Sequence, residues 1–79
     1  MLTMYSTPWC GYCTRLKWSL EREGIEFQEV DIDQDPDAAD YVMSVNGGSA
    51  TVPTIVLSDG SVLTNPPLPE LLEAIRTAA

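Results

Sequence analysis

The sequence predicts an α/β domain with the element order β-α-β-α-β-β-α, and three patterns in its 79 residues support this. Residues 2–32 read as strand, helix and strand, which in about 30 residues makes a βαβ unit with two parallel strands. Residues 35–45 carry the signals of a second helix. Residues 54–64 have the pattern of a hairpin, and an amphipathic helix follows. No repeat or linker interrupts the order, so we expect one domain over residues 1–79.

The first half of the chain supplies the βαβ unit. Residues 2–5 are an apolar run that enters the turn-forming segment 6–8, as at the end of a strand. Apolar residues with helical spacing follow and stop before Gly24, a common helix end; they are Cys13, Leu16 and Leu20. Residues 25–32 alternate apolar and polar side chains with a period of two, which predicts a half-buried second strand.

The second half supplies a helix, a hairpin and a last helix. Asp35-Pro36 fits a helix cap followed by proline in the first turn, and the helix should continue to Val45. Residues 54–57 and 62–64 are short strand-like runs on either side of a tight turn that contains Asp59-Gly60. Three prolines precede or open the last helix, whose apolar face would consist of Leu68, Leu71, Leu72 and Ile75.

The charge of the chain excludes several classes of partner. Twelve acidic residues against four basic ones give a formal net charge of −8. Nucleic acids and anionic membranes both require a basic surface, which this composition does not provide. No apolar run approaches the roughly 18 residues that span a bilayer, and the first residues lack a signal-peptide pattern. We therefore expect a cytoplasmic monomer that binds neither nucleic acid nor membrane.

Both cysteines lie in the segment Trp9-Cys10-Gly11-Tyr12-Cys13. Zinc needs four ligands, and the chain has no histidine and no further cysteine, so only a site shared between two chains would serve. A purely structural disulfide is a poor alternative because it would close a very small loop. We therefore predict a redox-active dithiol and no metal site, with the shared zinc site as a minor alternative.

Cys10 is predicted to be the nucleophile of the pair. A cysteine that opens a helix lies where unpaired backbone N–H groups and the helix dipole favour the thiolate, the reactive form. Cys13 would lie one turn inside the helix and be more shielded. Without histidine, the helix-end amides should activate Cys10, with positive charge added by Arg15 or Lys17. Trp18 is interpreted as a packing residue, with a docking contact as the alternative.

The segments around the cysteines and near residue 50 resemble glutaredoxins. They are Tyr5-Ser6, Trp9-Cys10, Tyr12-Cys13 with Lys17, Thr51-Val52-Pro53-Thr54 and Asp59-Gly60. The resemblance covers nearly the whole chain and implies a thioredoxin-like fold, in which helices flank a four-stranded mixed sheet of order 2-1-3-4. It also implies a cis Val52–Pro53 bond facing the CxxC, with the Val52 backbone free to pair with an incoming chain or thiol.

Two departures concern the charged groups that bind glutathione. Glutathione-using members usually carry a lysine three residues before the first cysteine, where this chain has Thr7. They also carry Gly-Gly and an acidic residue after the last strand, where this chain has Thr64-Asn65-Pro66. Threonine and asparagine can hydrogen-bond a hydroxyl-rich thiol without requiring an ion. Residues 44–66 resemble the mycoredoxin branch of the family, which uses mycothiol, a neutral cysteinyl pseudodisaccharide.

The resemblance implies a thiol-disulfide oxidoreductase that reduces mixed disulfides between mycothiol and proteins. Cys10 would act by a monothiol mechanism, and Cys13 could close an intramolecular disulfide. Mycothiol would be the reducing co-substrate, no tightly bound cofactor is expected, and the partners would be mycothiolated or disulfide-containing proteins. The substrate-binding groove is expected to consist of Trp9, Tyr12, Thr51, Val52, Pro53, Thr64 and Asn65.

Three other functions stay open. A redoxin served by thioredoxin reductase could donate electrons to ribonucleotide reductase, although such proteins carry a Ser-Gly-Phe-Arg-Pro-like segment where residues 64–67 are Thr-Asn-Pro-Pro. Gly11 replaces the proline common in glutaredoxins, and some members with a small residue there hold an iron–sulfur cluster between two chains. A non-catalytic binding module is the third alternative.

Overall fold

A computed structural model describes residues 1–78 and shows the predicted order of elements in them. The strands are β1 (Leu2–Ser6), β2 (Phe27–Asp31), β3 (Thr54–Val56) and β4 (Val62–Thr64). The helices are α1 (Gly11–Arg22), α2 (Pro36–Val45) and α3 (Leu68–Ala78). The last residue of the predicted domain, Ala79, lies outside the described part.

The four strands form one mixed sheet of order β2-β1-β3-β4. β1 pairs with β2 in parallel, and Ser6 lies opposite Asp31 at the carboxyl ends of the two strands. β1 also pairs with β3 in antiparallel orientation, and β3 pairs with β4 in the same way. The predicted mixed sheet and its strand order are confirmed. β1 is therefore central, with β2 on one side of its carboxyl end and β3 on the other.

Local capping explains where the helices begin. Cys10 is the N-cap of α1, and its side chain accepts a hydrogen bond from the backbone N–H of Cys13. Asp35 caps α2 in the same way, since its carboxylate accepts from the Ala38 N–H at 3.1 Å. Pro36 occupies the first turn of α2, where the missing N–H has no helical partner to lose.

Two predicted strands are longer than the observed ones. β2 begins at Phe27 and not at Ile25, because Ile25 still donates to Leu20 O at 3.0 Å as the chain leaves α1. β3 ends at Val56 because Leu57 already belongs to the hairpin turn, where its N–H donates to Ser61 O at 2.8 Å. Both shifts come from turn hydrogen bonds that compete with the strand pattern.

The main core lies between the sheet and the helices α1 and α3. Its buried members are Leu2, Met4, Leu16, Leu20, Ile55, Leu57 and Leu71. Leu2, Met4 and Ser6 alternate with less buried residues along β1, so Ser6 lies on the same face of the sheet as this core, facing α1. Within residues 1–78, none of the helices combines the length and apolar composition needed to cross a bilayer.

A smaller core on the other face packs α2 against the sheet. Ile32, Ala38 and Val42 are buried there, and Tyr5 and Val52 pack against them. Burial, with the nearby Tyr41 and Asp35, raises the pKa of the Tyr5 phenol above its usual value. The two cores hold β1 from both faces, so the turn that follows β1 presents the CxxC from a fixed support.

Candidate active site

Cys10 and Cys13 are joined by a disulfide at the start of α1. The backbone N–H of Cys13 donates to Cys10 Sγ at 3.1 Å, and the N–H of Thr14 donates to Cys10 O at 3.2 Å. Cys10 is half-buried, whereas Cys13 is only 2% exposed. The predicted difference in exposure between the two cysteines is confirmed, and a reagent from solution can reach Cys10 more easily.

The basic side chains of α1 have partners of their own. Lys17 Nζ lies 3.1 Å from Glu29 Oε1, so an adjacent carboxylate balances its charge. The Arg15 guanidinium lies 5.6 Å from the centre of the Tyr12 ring. The sequence interpretation offered Arg15 or Lys17 as positive charges for Cys10. The main prediction was a helix-end amide, and the Cys13 amide is a hydrogen-bond donor to the Cys10 sulfur.

On the β3 side of the CxxC, hydrogen bonds connect several of the predicted binding residues. The Tyr12 hydroxyl donates to Pro66 O at 2.7 Å, and the Asn65 N–H donates to Pro53 O at 2.8 Å. The Val52–Pro53 bond is cis, as the resemblance predicted. Within residues 1–78, no hydrogen bond engages the backbone of Val52. We call this region, from Tyr12 across residues 51–53 to Asn65, the β3-side groove.

The side chain of Asn46 is hydrogen-bonded to the segments next to this groove. Its Nδ2 donates to Val42 O at 2.9 Å and to Thr54 Oγ1 at 3.1 Å. Its Oδ1 accepts from the Thr64 hydroxyl at 2.6 Å. The Thr54 hydroxyl in turn donates to Thr51 O at 2.8 Å. Asn46 therefore ties the end of α2 to the start of β3 and the end of β4, a role that the sequence analysis missed.

Trp9 lies apart from the other predicted groove residues. Its side chain is 73% exposed, and its indole N–H donates to Asp33 Oδ2 at 2.9 Å. Asp33 belongs to the connection between β2 and α2, so the indole is held on the β2 side of the CxxC. The predicted set of binding residues is thus divided between the two sides of the cysteine pair.

A pocket of about 350 Å³ opens on the β2 side, between α1 and the carboxyl ends of β1 and β2. Trp18 is 61% exposed there, so the interpretation of this residue as a packing residue was wrong. Thr14, Lys17 and Trp18 are three and four residues apart, a spacing that places them on one helix face and could have signalled the pocket. This β2-side pocket is lined by Ser6, Thr7, Pro8, Cys13, Thr14, Lys17, Trp18, Glu29 and Asp31.

Comparison with known proteins gives the family. Residues 2–62 match the family model described as Glutaredoxin. The chain belongs to the glutaredoxin family. It is 54% identical over 70 residues to a Mycobacterium tuberculosis protein named as a glutaredoxin, covering 89% of this chain and 83% of that protein. It is 42% identical over 78 residues to Mycoredoxin 1 of Corynebacterium glutamicum, covering 99% of this chain and 96% of that protein.

A solved structure supports the fold. The crystal structure of a glutaredoxin from Archaeoglobus fulgidus matches with a TM-score of 0.80 at 29% identity, covering 95% of this chain and 85% of that one. The predicted thioredoxin-like fold and the resemblance to glutaredoxins and mycoredoxin are confirmed. As a member of this family with a Cys10–Cys13 pair, the chain is a thiol-disulfide oxidoreductase.

Proposed function

We propose that this glutaredoxin reduces mixed disulfides between mycothiol and protein thiols, with Cys10 as the nucleophile. The observation that carries the proposal is the difference between the two cysteines. Cys10 is half-buried at the helix start and accepts the Cys13 N–H at 3.1 Å, while Cys13 is 2% exposed. The choice of mycothiol is supported by the likeness to Mycoredoxin 1 and by the uncharged Thr7 and Asn65.

In the first step, the Cys10 thiolate attacks the mycothiol sulfur of the mixed disulfide. The bond between the mycothiol sulfur and the protein sulfur breaks, and its electron pair leaves with the protein sulfur, which takes a proton from water. A new disulfide then joins Cys10 to mycothiol. The Cys13 amide that donates to Cys10 Sγ in the oxidised state can donate to the thiolate in the same way, which lowers the energy of the charged nucleophile.

In the second step, the thiolate of another mycothiol attacks the mycothiol sulfur bound to Cys10. This releases the Cys10 thiolate and forms mycothiol disulfide, so each turnover consumes one free mycothiol, and the other half of the product comes from the mixed disulfide. Cys13 can compete by attacking the Cys10 sulfur, which releases mycothiol and closes the Cys10–Cys13 disulfide seen in the structure. Both routes need the attacking, central and leaving sulfurs in line. Alignment of the ligand therefore matters as much as the fraction of the attacking thiol that is ionised.

The β3-side groove is proposed to align the cysteinyl part of the mixed disulfide. The unpaired backbone of Val52 can exchange hydrogen bonds with the amide of an incoming cysteinyl group. Tyr12, Pro53 and Asn65 would form the walls, together with Thr51. The hydroxyl of Thr64 donates to Asn46, so we assign Thr64 to the support of the groove. Trp9 lies outside this groove, because its indole donates to Asp33 on the β2 side.

The monothiol scheme is tested by replacing each cysteine separately. Cys10→Ser should lower the rate of reduction of a mycothiolated protein by about 10³-fold or more, because the nucleophile is gone. Cys13→Ser should keep most of the rate, because the second mycothiol completes the cycle. The assay couples mycothiol disulfide formation to NADPH oxidation through mycothiol disulfide reductase. An equal loss in the two variants would contradict the scheme.

The identity of the reductant is tested on the wild-type protein. Mycothiol, glutathione and thioredoxin reductase are supplied in parallel, each with its own regenerating system, and the same mixed disulfide is followed. We expect mycothiol to support the fastest turnover. Reduction that depends on thioredoxin reductase and proceeds without mycothiol would favour the redoxin alternative.

A further inference from the structure

The β2-side pocket opens beside Cys13 but plays no part in the sulfur exchange described above. Its volume of about 350 Å³ suits a small ligand, and Trp18 provides an exposed aromatic surface beside hydroxyl and carboxylate groups. We propose that this pocket binds the hydroxyl-rich, two-ring part of mycothiol, with Trp18 as the stacking surface. The inference rests on the proposed function, and it assigns the residues that distinguish mycothiol from other cysteinyl thiols.

The two carboxylates of the pocket both accept hydrogen bonds, and Lys17 balances the charge of one of them. Glu29 accepts from Lys17 Nζ at 3.1 Å and from the Ser6 hydroxyl at 2.9 Å. Asp31 accepts from a backbone N–H at 2.9 Å and a glutamine side chain at 3.1 Å, both in the turn that follows β2. Lys17 offsets the charge of Glu29, whereas Asp31 accepts from neutral donors and keeps its charge, so an anionic ligand would be repelled. This arrangement favours an uncharged thiol over an anionic one.

Thr7 offers a polar group without a partner at the wall of the pocket. The residue is 5% exposed, and within residues 1–78 its Oγ1 is the buried side-chain polar atom that makes no hydrogen bond. Buried hydroxyls are normally paired, and this atom is closed to solvent, so a ligand hydroxyl would pair with it after a small shift of the pocket wall. The carboxylates of Glu29 and Asp31 keep further lone pairs that can accept from hydroxyls. These groups match a ring that carries several hydroxyls.

Trp18 supplies the apolar counterpart. A sugar or cyclitol ring presents a face of C–H bonds as well as a hydroxyl edge, and a flat indole can cover that face. Trp18 lies on α1 roughly 12 Å along the helix axis from Cys10. A ligand whose sulfur sits at Cys10 must extend through a cysteinyl group and two rings, and a ligand of that length can reach this position.

The test compares two mixed disulfides of the same short peptide, one with mycothiol and one with N-acetylcysteine, a cysteinyl thiol that lacks both rings. Trp18→Ala should lower kcat/KM about tenfold for the mixed disulfide of the peptide with mycothiol. The change should come mainly through KM, because ring binding is lost. The same variant should leave the N-acetylcysteine disulfide unchanged. Arg22→Ala is the matched control, since Arg22 is exposed on the same helix and does not line the pocket.

The outcomes separate this inference from the proposed function. A wild-type protein that does not reduce the mixed disulfide with mycothiol would overturn the proposed function, and the inference with it. A wild-type protein that reduces both mixed disulfides equally well would overturn the pocket assignment alone. A wild-type preference for mycothiol that survives in Trp18→Ala would leave the function standing and overturn the pocket assignment. An equal loss on both disulfides would also overturn the assignment, because Trp18 would then act on the sulfur chemistry or the fold.

Discussion

The two sides of the CxxC offer an incoming thiol different kinds of contact. On the β3 side, the backbone of Val52 makes no hydrogen bond within residues 1–78, and the groove walls are held by hydrogen bonds to the carbonyls of Pro53 and Pro66. On the β2 side, the pocket presents hydroxyls, hydrogen-bonded carboxylates and the indole of Trp18. Backbone contacts suit the cysteinyl unit that all such substrates share. Side-chain contacts suit the part that differs between thiols, so recognition and discrimination are assigned to separate sides.

Among the variants that test the two sides, the largest loss of stability is expected when the hydrogen bonds that support the β3-side groove are removed. Asn46→Ala deletes side-chain hydrogen bonds to Val42, Thr54 and Thr64, at about 1 kcal/mol each, so the free energy of unfolding should fall by about 2–3 kcal/mol. Activity on the mycothiol and N-acetylcysteine disulfides should fall together, because both need the cysteinyl contacts. Thermal unfolding should show a Tm lowered by roughly 10–20 °C.

Ser49→Ala is the control for this variant. The Ser49 hydroxyl pairs with that of Thr51 in an exposed loop, so the unfolding free energy should change by less than about 0.5 kcal/mol. If Asn46→Ala unfolds at the wild-type temperature, Asn46 does not support the groove. If its activity falls on the mycothiol disulfide alone, the division of roles between the two sides is wrong.

A smaller change in stability, an increase and not a decrease, is expected for a variant on the β2 side. Thr7→Val keeps the side-chain shape and removes a buried hydroxyl without a partner, so stability should rise by about 1 kcal/mol. The KM for the mycothiol disulfide should rise about three- to fivefold, the equivalent of one hydrogen bond, while that for the N-acetylcysteine disulfide should not change.

Urea unfolding and steady-state kinetics measure the two effects of Thr7→Val separately. Thr77→Val is the control, because the Thr77 hydroxyl is exposed and bonds to Glu73 O on α3, outside the pocket. A less stable Thr7→Val protein would show that this hydroxyl has a partner in the folded chain. An unchanged KM for the mixed disulfide with mycothiol would show that Thr7 does not contribute to binding of the rings.

The smallest change in kcat/KM is expected for Tyr12→Phe. This change removes one hydrogen bond of 2.7 Å to Pro66 O and leaves the ring in place, so kcat/KM should fall only about twofold. The two disulfides should be affected equally, because Tyr12 lies on the side assigned to the cysteinyl unit. A loss confined to the mycothiol disulfide, measured in the same kinetic assay, would move ring recognition to the β3 side.

Local patterns in the sequence were enough to predict much of this protein. The order of the elements, the cap at Asp35-Pro36 and the higher exposure of Cys10 than of Cys13 follow from hydrogen bonds and periodicities within a few residues. The family motif added the cis Val52–Pro53 bond and the strand order. The binding roles of the groove residues stay predictions, because the contacts described are those of the protein alone.

Tertiary structure decided which side of the CxxC each residue serves. Trp18 could not be placed from helical periodicity, because its exposure depends on how α1 lies against β2. The contact of Tyr12 with Pro66 joins residues 54 apart in the chain, and that of Thr64 with Asn46 joins residues 18 apart. Such pairs arise from sheet register and helix docking, which no short window of sequence contains. The sequence by itself therefore determined the reactive cysteine and its helix, and only the packing of distant segments created the groove and the pocket beside it.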